Sequence, residues 1–281
     1  VLGRLGGVLA RGGEAAEAYA AAADEARARG ADEARDLERL AAEHYLRVGR
    51  RDEGVRLLRR VLDAASVPYP SSSLGTFGTV ALYRTVLATR GLGWSRVSAS
   101  SVDPAELARI DACWSAGLGL ALGDRARTAA FQARFMLLAL RAGEPTRVAR
   151  ALATEASQLA AIGGGERTAR ARAILRAALE TTETSGDAAS RAFNLLMAGS
   201  IEFYASRWRA ALDHLARAEG ALERGHSRSE WELLTGNMLA LAALAYVGDL
   251  RALRARQAAL LEAARQRGNR LAGVCLSCGP A

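Results

Sequence analysis

Apolar positions recur along this chain at helical spacing, and short turns cut the pattern into segments of helix length. Near the start, Ala41-Ala42 and Tyr45 precede the turn Val48-Gly49-Arg50, and Gly54, Leu58 and Val61 follow it. Late in the chain, Ala198-Gly199 precedes the turn Ser206-Arg207, and Ala211, Leu215 and Ala218 follow. In both copies small residues stand where two helices must approach closely, and larger apolar residues continue at helical spacing. A stacked array of helix hairpins is encoded in this way. The periodicity predicts helices over 14–29, 32–48, 52–65, 76–91, 104–121, 125–141, 145–161, 166–184, 188–206, 208–224, 229–247 and 250–267. The segment 208–224 shows the logic: Trp208, Ala211, Leu212, Leu215, Ala218 and Leu222 form one face, with Arg209, Asp213, Arg217 and Glu223 off it.

The breaks carry their own chemistry. Asp103-Pro104-Ala105-Glu106 joins a capping acid to a proline suited to the first helical position. Gly123-Asp124, Gly143-Glu144-Pro145, Gly186-Asp187 and Gly248-Asp249 pair a helix-closing glycine with an acid that caps the next helix. Two irregular loops, near 66–75 and 93–103, interrupt this rhythm and flank one helix that departs from the repeat. Two helices with their turns take about 40 residues, within the range of tetratricopeptide and related repeats. The expected fold is therefore all-α: a right-handed superhelical array of helix hairpins, a tetratricopeptide-like α-solenoid, forming a single repeat domain over 1–281.

Composition agrees with this. Half of the residues are apolar but only 5% are aromatic, and alanine and leucine dominate, which favours helix over sheet. The net charge is +8, and every basic side chain is arginine. Arginines alternate with acids on helix faces, as in Glu33-Ala34-Arg35-Asp36, and the absence of lysine fits a GC-rich genome. No aromatic-and-basic reader motif accompanies the charge, so nucleic acid is not an expected partner. The apolar run Met238–Val247 is too short to span a bilayer, so no membrane association is expected either. The chain opens on Val1-Leu2-Gly3-Arg4, with no signal-peptide layout, and stops at Pro280-Ala281 soon after a helix begins. Both ends are expected to be cuts in a longer, cytoplasmic protein.

Candidate chemistry is sparse. Cys275-x-x-Cys278 supplies half a zinc site, Cys113 is distant, and His44, His214 and His226 show no paired ligand spacing. No metal or cofactor is expected. A phosphate-binding loop needs a lysine that the chain lacks, and Gly163-Gly164-Gly165 follows no strand, so it reads as an interhelical turn. His214 and His226 lack a nucleophile with an oxyanion hole, and no catalytic residue is assigned. Trp114, Trp208 and Trp231 read as fillers between helices. Arg134 and Arg141, seven residues apart, share a helix face, and Asn194 precedes the Ala198-Gly199 contact. These three are the candidate partner-binding residues, expected to line the concave side and to suit an acidic ligand. A solvated or salt-bridged arginine face is the other reading.

The stretch Arg109-Ile110-Asp111-Ala112-Cys113-Trp114, then Ala130-Phe131-Gln132-Ala133-Arg134, then Leu137 to Pro145 and Arg147 to Ala153, resembles one known arrangement. It is similar to the C-terminal helical-repeat region of large bacterial signalling proteins, of myxobacterial type, in which a Ser/Thr protein kinase is fused to a STAND-type ATPase. The resemblance extends over roughly residues 40–275 and includes Gly54 to Leu62, Arg207-Trp208 with Ala211-Leu212, and Trp231-Glu232-Leu233. Where the family often carries an acid before the Phe-Gln pair, this chain has Ala130. The resemblance implies a non-catalytic arm that binds a protein or peptide, or the upstream kinase and ATPase domains, and so regulates them. The alternative it leaves open is a sensor holding a small-molecule effector inside the superhelix.

Overall fold

The computed structural model describes residues 12–30, 33–121, 123–185, 187–224 and 230–278. Among them it is all-helical, with thirteen α-helices, one 3-10 turn and no strand. The helices are α1 (Gly12–Ala28), α2 (Ala34–Arg47), α3 (Arg51–Ala64), α4 (Ser73–Arg90), α5 (Pro104–Leu120), α6 (Arg125–Ala142) and α7 (Pro145–Ile162). They continue as α8 (Gly165–Ser185), α9 (Ala188–Tyr204), α10 (Trp208–Arg224), α11 (Glu230–Val247), α12 (Leu250–Gln266) and α13 (Arg270–Cys278). His226 and Gly186, two residues singled out in the sequence, lie outside the described residues.

The capping chemistry read from the sequence sets many of the boundaries. Asp103 Oδ1 accepts from the Ala105 amide at 2.9 Å, with Pro104 opening α5. Glu144 accepts from the amides of Thr146 and Arg147, both at 3.0 Å, ahead of α7. Asp187 does the same for Ala189 and Ser190 ahead of α9. Each carboxylate satisfies donors that the first helical turn leaves unpaired. The largest boundary difference from the prediction is at α4, which starts at Ser73, because Ser72 Oγ accepts from the Gly75 amide at 3.1 Å and caps it. Gly143 closes α6 in the left-handed conformation, at φ 68°.

The chain divides into two compact units, Val1–Gly143 with Gln266–Leu271, and Glu144–Arg265 with Ala272–Ala281. Within the first, α1 packs on α2, α2 on α3 and α5 on α6, while α5 also touches α2 and α3. Within the second, α7 pairs with α8 and α9 with α10, α9 also lies on α7, and α11 lies on both α10 and α9. Leu241 of α11, Ala264 of α12, and Ala272 and Leu276 of α13 share one apolar cluster.

Close approach through small residues is visible in each unit. A Cβ on Gly54 would stand 2.5 Å from Leu46 Cγ, and one on Gly199 would stand 2.7 Å from Leu215 Cγ. Ala41, Ala42, Ala211 and Ala218 are at most 1% exposed. On α3 the buried stripe is Gly54, Leu57, Leu58, Val61 and Leu62, and Val55 is half-buried. On α10, Ala211, Leu215, Ala218 and Leu222 are buried, and Arg209, Asp213, Arg217 and Glu223 are exposed.

Arginine–acid pairs bind several helices together. Arg172 makes a two-point contact with Glu202, at 2.9 and 3.0 Å. Glu38 lies between Arg27 and Arg60, at 3.0 and 2.7 Å. Arg256 bonds both Glu219 and Asn237 at 2.7 Å. The scattered acids thus hold arginines in place, as the alternation of charges in the sequence suggested.

A testable consequence concerns Ala211, which is fully buried. Ala211→Leu is expected to destabilise the second unit by ~1–3 kcal/mol through overpacking. Thermal unfolding followed by circular dichroism checks this; an unchanged midpoint would show that the α9–α10 contact has slack.

Candidate functional site

The first unit contains one helix whose neighbours differ from those of the rest. α4 packs chiefly on α6. Tyr83 on α4 meets Arg134 on α6, and Arg90 at the end of α4 meets the Leu140 carbonyl near the end of α6. The two helices therefore run side by side in the same direction.

An arginine stripe on α6 fixes this arrangement. Arg127 Nε donates to the Pro70 carbonyl at 2.8 Å and its Nη2 to the Ser71 carbonyl at 3.2 Å. Arg134 Nη1 donates to the Pro68 carbonyl at 3.2 Å, and its Nε to the Tyr83 hydroxyl at 2.7 Å. Arg109 on α5 takes the Ala65 carbonyl at 3.2 Å. Three guanidinium groups thus satisfy four carbonyls of the loop between α3 and α4, a segment whose prolines cannot donate to their own turns. Aromatic faces add to the clamp. The guanidinium carbons of Arg59 and Arg127 lie 4.6 and 5.2 Å from the Tyr69 ring centre, and that of Arg134 lies 5.0 Å from Tyr83. Asp124, which caps α6, also pairs with Arg127 Nη1. Burial pushes the Asp124 carboxyl up. Hydrogen bonds from the Arg127 amide and guanidinium, together with the charges of Arg127 and Arg51, outweigh that and hold it below the ordinary aspartate range.

The inner face of α4 is occupied by this packing, with Thr76 and Leu87 buried. The outer face is unusual. Leu74, Phe77, Gly78, Ala81, Leu82, Thr85 and Ala88 are all exposed, and none is charged. Leu74 is 86% exposed, Phe77 63% and Leu82 61%. A surface helix ordinarily turns its charged side to water; α4 turns an uncharged, partly apolar side outward instead. No Asp or Glu occurs between Ala64 and Val102, and none within α6. The surroundings are thus cationic, with Arg90 and Arg141 exposed at the C-terminal end of the pair.

The three residues singled out in the sequence fall in different settings. Arg134 is half-buried and engaged by Tyr83 and the loop. Arg141 lies two helical turns further along the same α6 face and is exposed. Asn194 is fully buried in the second unit, where its Nδ2 donates to Thr182 Oγ1 at 2.8 Å and to the Ala178 carbonyl at 3.4 Å. It ties α9 to α8 and presents nothing to solvent. The α4 face is marked in the sequence by a helix with apolar residues all round its circumference and no acid near it.

Other polar clusters serve packing. Ser115 Oγ donates to Glu43, which also accepts from Arg39 at 2.7 Å, but Ser115 is fully buried. The Cys113 thiol is pushed up to about 12 by burial, against the pull of the Arg134 charge, which leaves it protonated and unreactive. No group of three His, Cys, Asp or Glu side chains able to hold a metal occurs among the described residues. His44 stacks on Tyr19 at 5.2 Å. Trp208, expected as an interior filler, is only half-buried and stacks on the exposed Tyr246 at 4.5 Å. Beside them Ser206, Arg207, Arg209, Ala210 and Val247 border a shallow depression open to solvent. No described helix is long and apolar enough to cross a membrane. Comparison with known proteins finds no matching family model, no matching curated protein and no matching solved structure.

Two predictions follow from the clamp. Arg127→Ala is expected to cost on the order of 1–2 kcal/mol, since the lost bonds involve a charged donor but are partly exposed. Hydrogen exchange at the first turn of α4 should accelerate with it; unchanged exchange there would mean that the loop is held without Arg127. For Asp124 the sign is set by a depressed carboxyl. Its contribution is full above the unfolded value of about 4 and is lost as pH falls through the folded value. The stability gap between the native chain and Asp124→Asn in urea titrations should therefore be present at neutral pH and vanish on acidification.

Proposed function

We propose that this chain is a non-catalytic interaction arm that binds a protein partner through the first unit. The single observation that carries the reading is the uncharged outer face of α4, with Leu74, Phe77 and Leu82 exposed beside arginine-rich surroundings. Monomeric surfaces seldom leave contiguous apolar residues of that size in water unless something covers them. Support for a repeat architecture comes from the second unit, where α9 lies on α7 and α11 on α9, so that the first helices of successive hairpins stack. Continued with a constant rotation, that stacking gives the right-handed, tetratricopeptide-like superhelix proposed for the family it resembles. In that setting the parent protein is a bacterial, cytoplasmic Ser/Thr kinase fused to a STAND-type ATPase, and the arm reports partner binding to the upstream domains. Such control requires a partner with different affinities for the two states of the whole protein. The effector-sensor alternative calls for an enclosed apolar pocket with a few convergent polar groups, and the shallow depression near Trp208 does not supply one.

Two measurements test this. The purified chain should neither hydrolyse ATP nor phosphorylate a substrate; turnover that follows the protein through purification and disappears on mutation of its residues would overturn the non-catalytic half. A photo-crosslinking residue in place of Phe77 should capture one defined protein in the cells that encode the chain, and the same residue at Arg209 should not. Equal capture from both positions would overturn the assignment of the interface to α4.

A further inference from the structure

Two thiols stand close together in the second unit and take no part in the proposed interaction. Cys275 and Cys278 are three residues apart in the last turn of α13, so they share one side of that helix. Cys278 is exposed and Cys275 is half-buried. Burial pushes the Cys275 thiol up, and the charge of Cys278 adds to that push, so the two sulfurs are near enough to influence each other. Cys113, by contrast, belongs to the first unit and is fully buried.

The residue between the two thiols couples them to the fold. Leu276 is buried and shares the apolar cluster of Leu241, Ala264 and Ala272. Its carbonyl is one of the last four that an α-helix leaves without a partner of its own. It accepts from Gln257 Nε2 of α12 at 2.7 Å. The side chain and the carbonyl of Leu276 thus both seat the end of α13. In a helical turn, Cα atoms three residues apart stand about 5 Å from each other, which is within disulfide reach. Their Cβ atoms stand about 5–6 Å apart, whereas a disulfide needs about 3.5–4.5 Å. Closing the bond therefore draws the last turn in by roughly 1–2 Å, and Leu276 lies inside that turn.

We infer that Cys275 and Cys278 form a dithiol–disulfide pair that exchanges with small-molecule disulfides, and that closing the bond loosens the seat of Leu276 on α11 and α12. The exposed Cys278, as its thiolate, attacks one sulfur of the small disulfide. The other sulfur leaves as a thiolate and takes up the proton that Cys278 lost. Cys275 then gives up its proton, attacks Cys278 Sγ and expels the second small thiol. Two protein thiols and one small disulfide become one protein disulfide and two small thiols. The half-buried Cys275 suits the second attack, which is intramolecular, so that proximity offsets its reluctance to ionise. Zinc would need four ligands, of which the pair supplies two; a disulfide needs only the pair.

The reduced full chain, titrated with glutathione disulfide in glutathione buffers, tests this by mass spectrometry and hydrogen exchange. The expected product has lost two hydrogen atoms, carries its bond in the peptide that holds Cys275 and Cys278, and returns to the dithiol with dithiothreitol. Cys275→Ser should stop at a glutathione adduct on Cys278, and Cys278→Ser should react about tenfold more slowly or less, since only the half-buried thiol remains. The amides of 276–278 should exchange at least about tenfold faster in the oxidised chain than in the reduced one. Separate glutathione adducts on both cysteines, or a bond between two chains, would overturn the pair. Equal reactivity of the two serine variants would overturn the order of attack. An internal disulfide with unchanged exchange at 276–278 would overturn the coupling to Leu276.

Discussion

Alanine sets the geometry of this molecule. Ala15, Ala16, Ala41, Ala42, Ala116, Ala133, Ala149, Ala153, Ala156, Ala171, Ala178, Ala211 and Ala243 are all fully buried. A helix faced with alanine gains little from any single contact, so its stability depends on bringing a neighbouring backbone close over a long interface. Gly54 against Leu46 and Gly199 against Leu215 are close expressions of this, since a methyl group at either glycine would enter the facing leucine. The larger side chains, Phe131, Phe135, Leu58, Leu152 and Leu196, fill the spaces that remain. A core of this kind leaves few deep concavities and builds its outer surfaces from whole helix faces.

That constraint explains why α4 stands out. α4 follows a proline-bearing loop in which Val67 is buried and Tyr69 packs on Phe131. Arginines add to those contacts. Arg109, Arg127 and Arg134 hold the loop carbonyls, and Tyr69 and Tyr83 lie under the same guanidinium groups. A guanidinium group suits this work because its planar donors reach two carbonyls while its face stacks on an aromatic ring. The consequence is a helix fixed from one side through polar contacts, with its apolar side left outward.

Most of the helices were legible as periodicity, and their starts as Asp and Glu caps, because both depend on residues within a turn or two of one another. Asp103 before Pro104 and Glu144 before Pro145 are local signals and were readable as such. The α4 start was misplaced by three residues because a serine run reads as loop until one of its hydroxyls is seen to cap a helix. The candidate site was less legible. Arg134 and Arg141 were recognised as one face, but the sequence does not say that Tyr83 and Pro68, distant along the chain, lie opposite Arg134. Asn194 is marked in the sequence by preceding the Ala198-Gly199 contact, and its role turns on Thr182 of the preceding helix. Long-range partners decide between an arginine that binds a ligand and one that binds its own loop.

The charge distribution carries the same distinction further. A net charge of +8 spread evenly would say little about partners. Here several acids hold arginines between helices, as Glu38, Glu202 and Glu219 do. Where α4 and α6 meet, Arg90 and Arg134 bond to carbonyl and hydroxyl oxygens, which orient a guanidinium group without neutralising it, while Arg127 also pairs with Asp124. The guanidinium groups there hold the protein's own loop and helix end beside the apolar face. Apolar exposure by itself would admit many partners, since it offers area without the charge pattern that selects among them.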